Sequence, residues 1–96
     1  MNFKKISVEE TKSLIKGGDV TIVDIRDPQS YSSGHIDDAL HLGDDNVEQF
    51  LAECNKLLPL IVYCFHGHSS QSAAAYFAAN GFADVYSMDG GYAAWS

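Results

Sequence analysis

Two short runs constrain the fold more than anything else in the chain. Val20-Thr21-Ile22-Val23-Asp24-Ile25 and Leu60-Ile61-Val62-Tyr63 are rich in β-branched residues and almost wholly apolar. A strand with one wet face alternates apolar and polar residues. An unbroken run suits a strand covered on both faces, as in parallel sheets. Helical patterns stand between and around these runs, joined by short connections. That alternation predicts an α/β domain with a mostly parallel central sheet and helices on both faces.

The intervening segments carry their own start and stop signals. Ser7-Val8-Glu9-Glu10 reads as a capping box opening a helix that buries Val8, Thr11, Leu14 and Ile15 and stops at Gly17-Gly18. Asp27-Pro28 is an N-cap followed by proline in the first helical position, starting a short helix that ends at Gly34. Ala39 to Leu42 forms a short strand, and Asp44-Asp45-Asn46 offers caps for a helix carrying Val47, Phe50, Leu51 and Cys54 on one face. Ser69-Ser70 caps an alanine-rich helix whose Ala73–Ala79 stretch packs tightly and closes at Asn80-Gly81. Asp84 to Met88 is a last strand, Asp89-Gly90-Gly91 a turn, and Tyr92 begins a final helix anchored by Trp95.

Composition bounds the function. With 96 residues, 46% hydrophobic and 20% charged, residues 1–96 read as one globular domain. The net charge of −7 argues against nucleic acid and against an anionic membrane surface, both of which reward basic side chains. Beyond Lys16 only Arg26 and Lys56 face eleven carboxylates. The longest apolar stretch, Leu57 to Phe65, is interrupted by Pro59 and falls far short of the roughly 20 residues that cross a bilayer. The start of the chain has no apolar signal core, and two cysteines make no disulfide framework, so a cytoplasmic setting is the default expectation.

Chemistry in open α/β sheets gathers beyond the carboxyl ends of the strands. There Cys64 closes an apolar strand, Gly67 permits a tight turn, and a helix begins near Ser69. A loop of this size wrapped around a sulfur turns successive amide N–H groups inward. Together with the helix N-terminus, these favour an anion and stabilise a thiolate. A packed, inert cysteine remains the alternative at this point. Cys54, on an apolar helix face, reads as core.

Four motifs stand in order: Asp24-Ile25-Arg26-Asp27, Gly34-His35-Ile36, Cys64-Phe65-His66-Gly67-His68-Ser69-Ser70, and Asp89-Gly90-Gly91-Tyr92-Ala93-Ala94-Trp95. Together they closely resemble the single-domain rhodaneses, in particular the small GlpE-type thiosulfate sulfurtransferases, from about Ile6 to Trp95. The resemblance implies a rhodanese-like domain in which Cys64 attacks the outer sulfur of thiosulfate, releases sulfite and becomes a persulfide. A thiophilic acceptor then takes that sulfur: cyanide in an assay, a small thiol, or a thioredoxin-like protein. It implies Cys64 as the catalytic residue, Phe65, His66, Gly67, His68, Ser69 and Ser70 as the substrate-binding loop, and no metal or organic cofactor.

The loop departs from larger rhodaneses in carrying no permanently charged side chain, which predicts weak thiosulfate binding. His66 and His68 supply charge only as pH falls toward the ordinary histidine range. Two other readings stay open. One is a sulfur-relay or binding module delivering persulfide sulfur to a protein thiol. The other is a phosphatase or arsenate reductase, disfavoured because Ser69 and Ser70 stand where such loops place an oxyanion-clamping Arg. Asp24 and Arg26 are expected to tie neighbouring loops together, and His35 to fix a turn. His41, near Asp44 and Asp45, suits helix capping or a solvated surface better than a metal site. The spacing Cys64-x-His66-x-His68 lacks a matching second pair of zinc ligands.

Overall fold

In the computed structural model, which describes residues 2–95, the elements follow in the order β1 Lys4–Ile6, α1 Val8–Lys16, β2 Thr21–Asp24, α2 Pro28–Ser33, β3 Leu40–His41, α3 Val47–Glu53, β4 Leu60–Tyr63, α4 Ser69–Ala79, β5 Val85–Met88 and α5 Gly91–Trp95. The five strands form one sheet in the order β1-β5-β4-β2-β3. Every pairing is parallel. The expected α/β architecture is therefore realised without an antiparallel strand.

The two apolar runs occupy the centre, as their pattern requires. All four residues of β4 are fully buried. Leu60 and Val62, with Val23 and Val85, face a cluster containing Phe50, Ala74 and Phe77 from α3 and α4. Ile61 and Tyr63, with Ile22 and Met88, face the opposite cluster, to which α1 adds Val8, Leu14 and Ile15 and α5 adds Tyr92 and Trp95. The period-two alternation of strand side chains thus feeds both layers. At about 1.5–3 kcal/mol for each large apolar side chain removed from water, β4 is the best-anchored segment, and Cys64 is the next residue.

Local signals account for the helix ends in part. The Ser7 hydroxyl accepts from the Glu10 amide at 3.0 Å, and the Glu10 carboxylate accepts from the Ser7 amide at 2.9 Å, completing the expected capping box. Asp27 caps α2 by accepting from the Ser30 amide at 3.1 Å, with Pro28 in the first turn. The caps expected at α3 and α4 are corrected. Asn46 precedes α3 but gives it no side-chain cap; its Oδ1 accepts from the Gly43 amide and its Nδ2 donates to the His41 carbonyl. Ser69 and Ser70 lie inside the first turn of α4, behind His68.

Two helices bury less than their sequence patterns suggest. On α1 only Thr11 is fully buried. On α4 only Ala74 and Phe77 of the Ala73–Ala79 stretch are buried, because that helix packs along a single stripe. Strand β1 was not anticipated. It is three residues long, and its two lysines project into solvent at the sheet edge, where lysine discourages further pairing. No helix among the described residues is long and apolar enough to cross a membrane.

Candidate active site

Connections leave β2 toward β3 on one side of the sheet order and leave β4 toward β5 on the other. The crevice between the carboxyl ends of β2 and β4 is therefore the switch point at which ligands bind in this architecture. Asp24 is in register with Tyr63, and the Ile25 amide donates to the Tyr63 carbonyl at 3.1 Å, so Ile25 and Cys64 stand on opposite walls of that crevice. A cavity of about 300 Å³ opens there, lined by Ile25, Arg26, Asp27, Ser30, Cys64, Phe65 and Ser69.

Cys64 sits at the floor of its loop, 7% exposed. It accepts hydrogen bonds from the Gly67 amide at 3.1 Å and the Ser70 amide at 3.3 Å. Gly67 turns its N–H inward from a left-handed conformation, φ +91°, and a Cβ there would come within 2.8 Å of the Gly90 nitrogen. Burial pushes the Cys64 thiol up. The Ser70 hydroxyl and the amides of Ser70, Gly67 and His66 outweigh it, so the thiol lies below its ordinary range. The packed-cysteine alternative does not account for this donor set.

The expected inward ring of amides is narrower than anticipated. Gly67 and Ser70 bond the sulfur, whereas the amides of Phe65, His68 and Ser69 make no hydrogen bond to it. Phe65 is 54% exposed and stands at the cavity rim, its ring 4.3 Å from that of His66. His66 and His68 are exposed, and Ser69, also exposed, lines the cavity. The base of the loop is held from behind: the Tyr92 amide donates to the Cys64 carbonyl at 2.9 Å and the Ala93 amide to the Phe65 carbonyl at 3.0 Å. The Gln71 side chain donates to the Gly67 carbonyl at 2.9 Å.

Arg26 lines the cavity, yet its charge is committed elsewhere. Its Nε and Nη2 donate to the Asp24 carboxylate, Nη2 at 2.6 Å, and Nη2 also donates to the Gly34 carbonyl at 2.7 Å. The guanidinium lies 4.2 Å from the Tyr92 ring centroid. Hydrogen bonding to Asp24 holds Arg26 above its ordinary range against the opposing effect of burial. The pair thus ties the β2 loop to the Gly34 turn, as expected from Asp24-x-Arg26. Both side chains are buried, at 7% and 0% exposure. Removing one partner of such a pair strands the other charge. Arg26→Met is expected to cost about 3 kcal/mol in urea denaturation, and the double variant with Asp24→Asn to cost less than Arg26→Met alone.

The remaining histidines are structural. His35 stacks on Tyr31 at 3.8 Å and bonds the Tyr31 carbonyl through Nδ1 at 2.9 Å. His41 neither caps a helix nor stands free in solvent: its Nε2 bonds the Arg26 carbonyl at 2.6 Å, bracing the β2 loop from the β3 side. Among the described residues no group of three or more His, Cys, Asp or Glu side chains is placed to hold a metal ion. Cys54 ends α3, half-buried, 3.9 Å from the Thr21 hydroxyl. The residue missed in reading the chain is Ser87. It is fully buried on β5, and its hydroxyl lies 2.8 Å from that of Ser70.

Comparison with known proteins agrees with this geometry. Residues 7–96 match the family described as Rhodanese-like domain. The chain is 50% identical over 93 residues to the thiosulfate sulfurtransferase GlpE of Pseudomonas paraeruginosa, covering 97% of this chain and 84% of that protein. It is 50% identical over 95 residues to the GlpE of Pseudoalteromonas translucida, covering 99% and 90%. Among solved structures, the rhodanese-like domain protein of Staphylococcus aureus superposes with a TM-score of 0.84 at 30% identity, covering 98% of this chain and 92% of that one. With a family match over nearly its whole length and an amide-cradled cysteine at the sheet's switch point, this chain belongs to the rhodanese-like domain family.

Proposed function

We infer that the protein is a thiosulfate sulfurtransferase that carries sulfur on Cys64. The observation behind this reading is a sulfur held by two backbone amides, with its pKa lowered, at the floor of an open cavity. In the first step the Cys64 thiolate attacks the outer sulfur of thiosulfate. The new S–S bond forms as the S–S bond of thiosulfate breaks, and sulfite leaves with that electron pair. Cys64 becomes a persulfide anion. In the second step a nucleophile attacks the terminal sulfur, and the Cys64 thiolate leaves; with cyanide the product is thiocyanate. Charge and atoms balance in both steps, and neither calls for a metal or organic cofactor.

The loop from Phe65 to Ser70 is the substrate-binding segment in this reading. The Gly67 and Ser70 amides offset the anionic sulfur before and after transfer, which requires no reorganisation at the moment of reaction. Phe65 and Ser69 border the cavity through which thiosulfate and acceptor enter, flanked by His66 and His68. Arg26 is the cavity's one permanent cation, and Asp24 neutralises it, so the thiosulfate dianion gains little net charge attraction. The same balance speaks against phosphoryl transfer, which needs an uncommitted cation to offset charge spread over three oxygens.

A sulfur-relay reading, with delivery to a small thiol or a thioredoxin-like protein thiol, is favoured by Phe65. An apolar ring half in solvent beside the sulfur suits a protein surface better than a small anion. Intact mass spectrometry tests both readings. Incubation with thiosulfate should add the mass of one sulfur at Cys64, and cyanide or a protein thiol should remove it. Comparing the two removal rates at equal acceptor concentration distinguishes relay from the assay reaction. Protein that gains no sulfur, yet releases phosphate from aryl phosphates in a Cys64-dependent way, would overturn the assignment.

A further inference from the structure

The two amides that reach the Cys64 sulfur are held in different ways. The Ser70 amide belongs to the first turn of α4 and donates at 3.3 Å from a regular helix. The Gly67 amide, at 3.1 Å, lies outside the helix, in a residue that populates positive and negative φ about equally. Nothing in Gly67 itself selects φ +91°. A side chain that would narrow the choice is barred, because a Cβ would stand 2.8 Å from the Gly90 nitrogen and 3.2 Å from the Met88 carbonyl oxygen. The conformation is therefore selected from outside the residue. Gln71 supplies a contact that does so: its Nε2 donates to the Gly67 carbonyl at 2.9 Å. A carbonyl only accepts, so the nitrogen end of the Gln71 amide is the end that faces it. Gln71 also engages the next carbonyl, its backbone N–H donating to His68 at 3.1 Å. Among the described residues, Gln71 is the one side chain that donates to a carbonyl of residues 64–69.

We propose that Gln71 is a positioning residue for sulfur transfer: by holding the Gly67 carbonyl against α4, its side chain fixes the left-handed turn that aims the Gly67 N–H at the sulfur of Cys64. The reach is natural. Residues four apart share a helix face, and His68 between them already has helical dihedrals, φ −91° and ψ −58°. The peptide plane before Gly67 is tethered to the sulfur and the plane after it to Gln71, so the glycine loses its freedom on both sides. Both sulfur-bound amides are then referred to one rigid element, Ser70 as part of α4 and Gly67 through the Gln71 side chain. A donor held in this way is in place before substrate arrives and stays in place as the sulfur alternates between thiolate and persulfide. Gln71 does not line the Cys64 cavity, so it acts through Gly67 and not on the substrate. The inference deepens the sulfurtransferase reading and rests on Cys64 as the reacting thiol.

Two variants and two readouts test this apart from turnover. Gln71→Met keeps the length of the side chain and removes the donor. Gln71→Ala removes the reach and suits a helix best, so it carries the comparison even if the methionine variant does not fold. Both are neutral and leave the charge around the thiol unchanged. The first readout is residue-resolved amide hydrogen exchange by NMR. The Gly67 amide should exchange about fivefold faster in either variant, the bias that one ordinary hydrogen bond supplies, while the Ser70 amide keeps its protection. The second is iodoacetamide alkylation of Cys64, resolved from Cys54 by peptide mapping across a pH series, which yields the titration midpoint of the folded protein. That midpoint should rise by about half a unit, with alkylation about threefold slower below it. An unmoved midpoint in both variants overturns the proposal, as does a midpoint that moves while Gly67 exchange stays the same. Equal loss of protection at Gly67 and Ser70 also overturns it, since that marks a general loosening of α4. If the wild type forms no persulfide with thiosulfate, the sulfurtransferase reading fails separately, since neither exchange nor alkylation depends on it.

Discussion

Cys64→Ser is expected to abolish sulfur transfer, lowering turnover by a factor of about 10⁴ or more, while the protein stays folded. The serine oxygen is nearly isosteric and would still receive the Gly67 and Ser70 amides, so the loop keeps its internal hydrogen bonds. Chemistry is what disappears. A serine hydroxyl is not ionised at working pH, and an alkoxide is both a poor nucleophile toward sulfur and a poor leaving group from it. Cys54→Ser should keep most of the activity. That thiol is half-buried at the end of α3, its nearest polar partners being the Thr21 hydroxyl at 3.9 Å and the Asn55 carbonyl at 4.0 Å. Among the described residues no backbone amide donates to its sulfur. Thiocyanate formation and far-ultraviolet circular dichroism on both variants check the pair of statements. Equal loss in two folded variants would remove Cys64 from the mechanism.

That contrast between the two thiols was legible in the chain because the relevant forces are local. A strand, a cysteine, a glycine and a helix start within seven residues determine which amides can reach the sulfur. The same holds for the Ser7–Glu10 capping box and for Asp27-Pro28, where each donor and acceptor lies within three residues of its partner. What the chain did not disclose depends on strand neighbours. Ser87 meets Ser70 only because β5 lies beside β4 and its Ser87 side chain points toward α4, a pairing across 17 residues with no local mark. Lys4-Lys5-Ile6 becomes a strand only because the edge of β5 offers partners in register. The missing cap at Ser69-Ser70 has a related cause. The fold uses the first turn of α4 to face the sulfur, and the Ser70 hydroxyl goes to β5. Local propensity gave way there to the site.

Gly91→Ala should be nearly as damaging to activity as loss of the sulfur's own amides, although Gly91 touches neither substrate nor the sulfur. Gly91 opens α5 directly behind the active-site loop, at φ +62°. A Cβ at that position would sit 2.5 Å from the Cys64 carbonyl oxygen and 2.5 Å from the carbonyl carbon and oxygen of Phe65. Those are backbone atoms and cannot rotate away. Relief requires the loop to move off α5, which breaks the bonds from the Tyr92 amide to Cys64 and from the Ala93 amide to Phe65. These two bonds hold the first residues of the loop while Gly67 and Ser70 close it over the sulfur. A shift of about 1 Å in a reacting group can cost about 10²-fold in rate, and that is the loss expected here. The left-handed backbone adds roughly 1–2 kcal/mol of destabilisation for a residue with a side chain. Measured together, sulfur transfer should fall about 10²-fold, the urea midpoint should drop, and the Cys64 alkylation midpoint should climb toward that of a free thiol as the amides withdraw. Full activity with an unchanged Cys64 midpoint would show that the loop is not held from behind by α5.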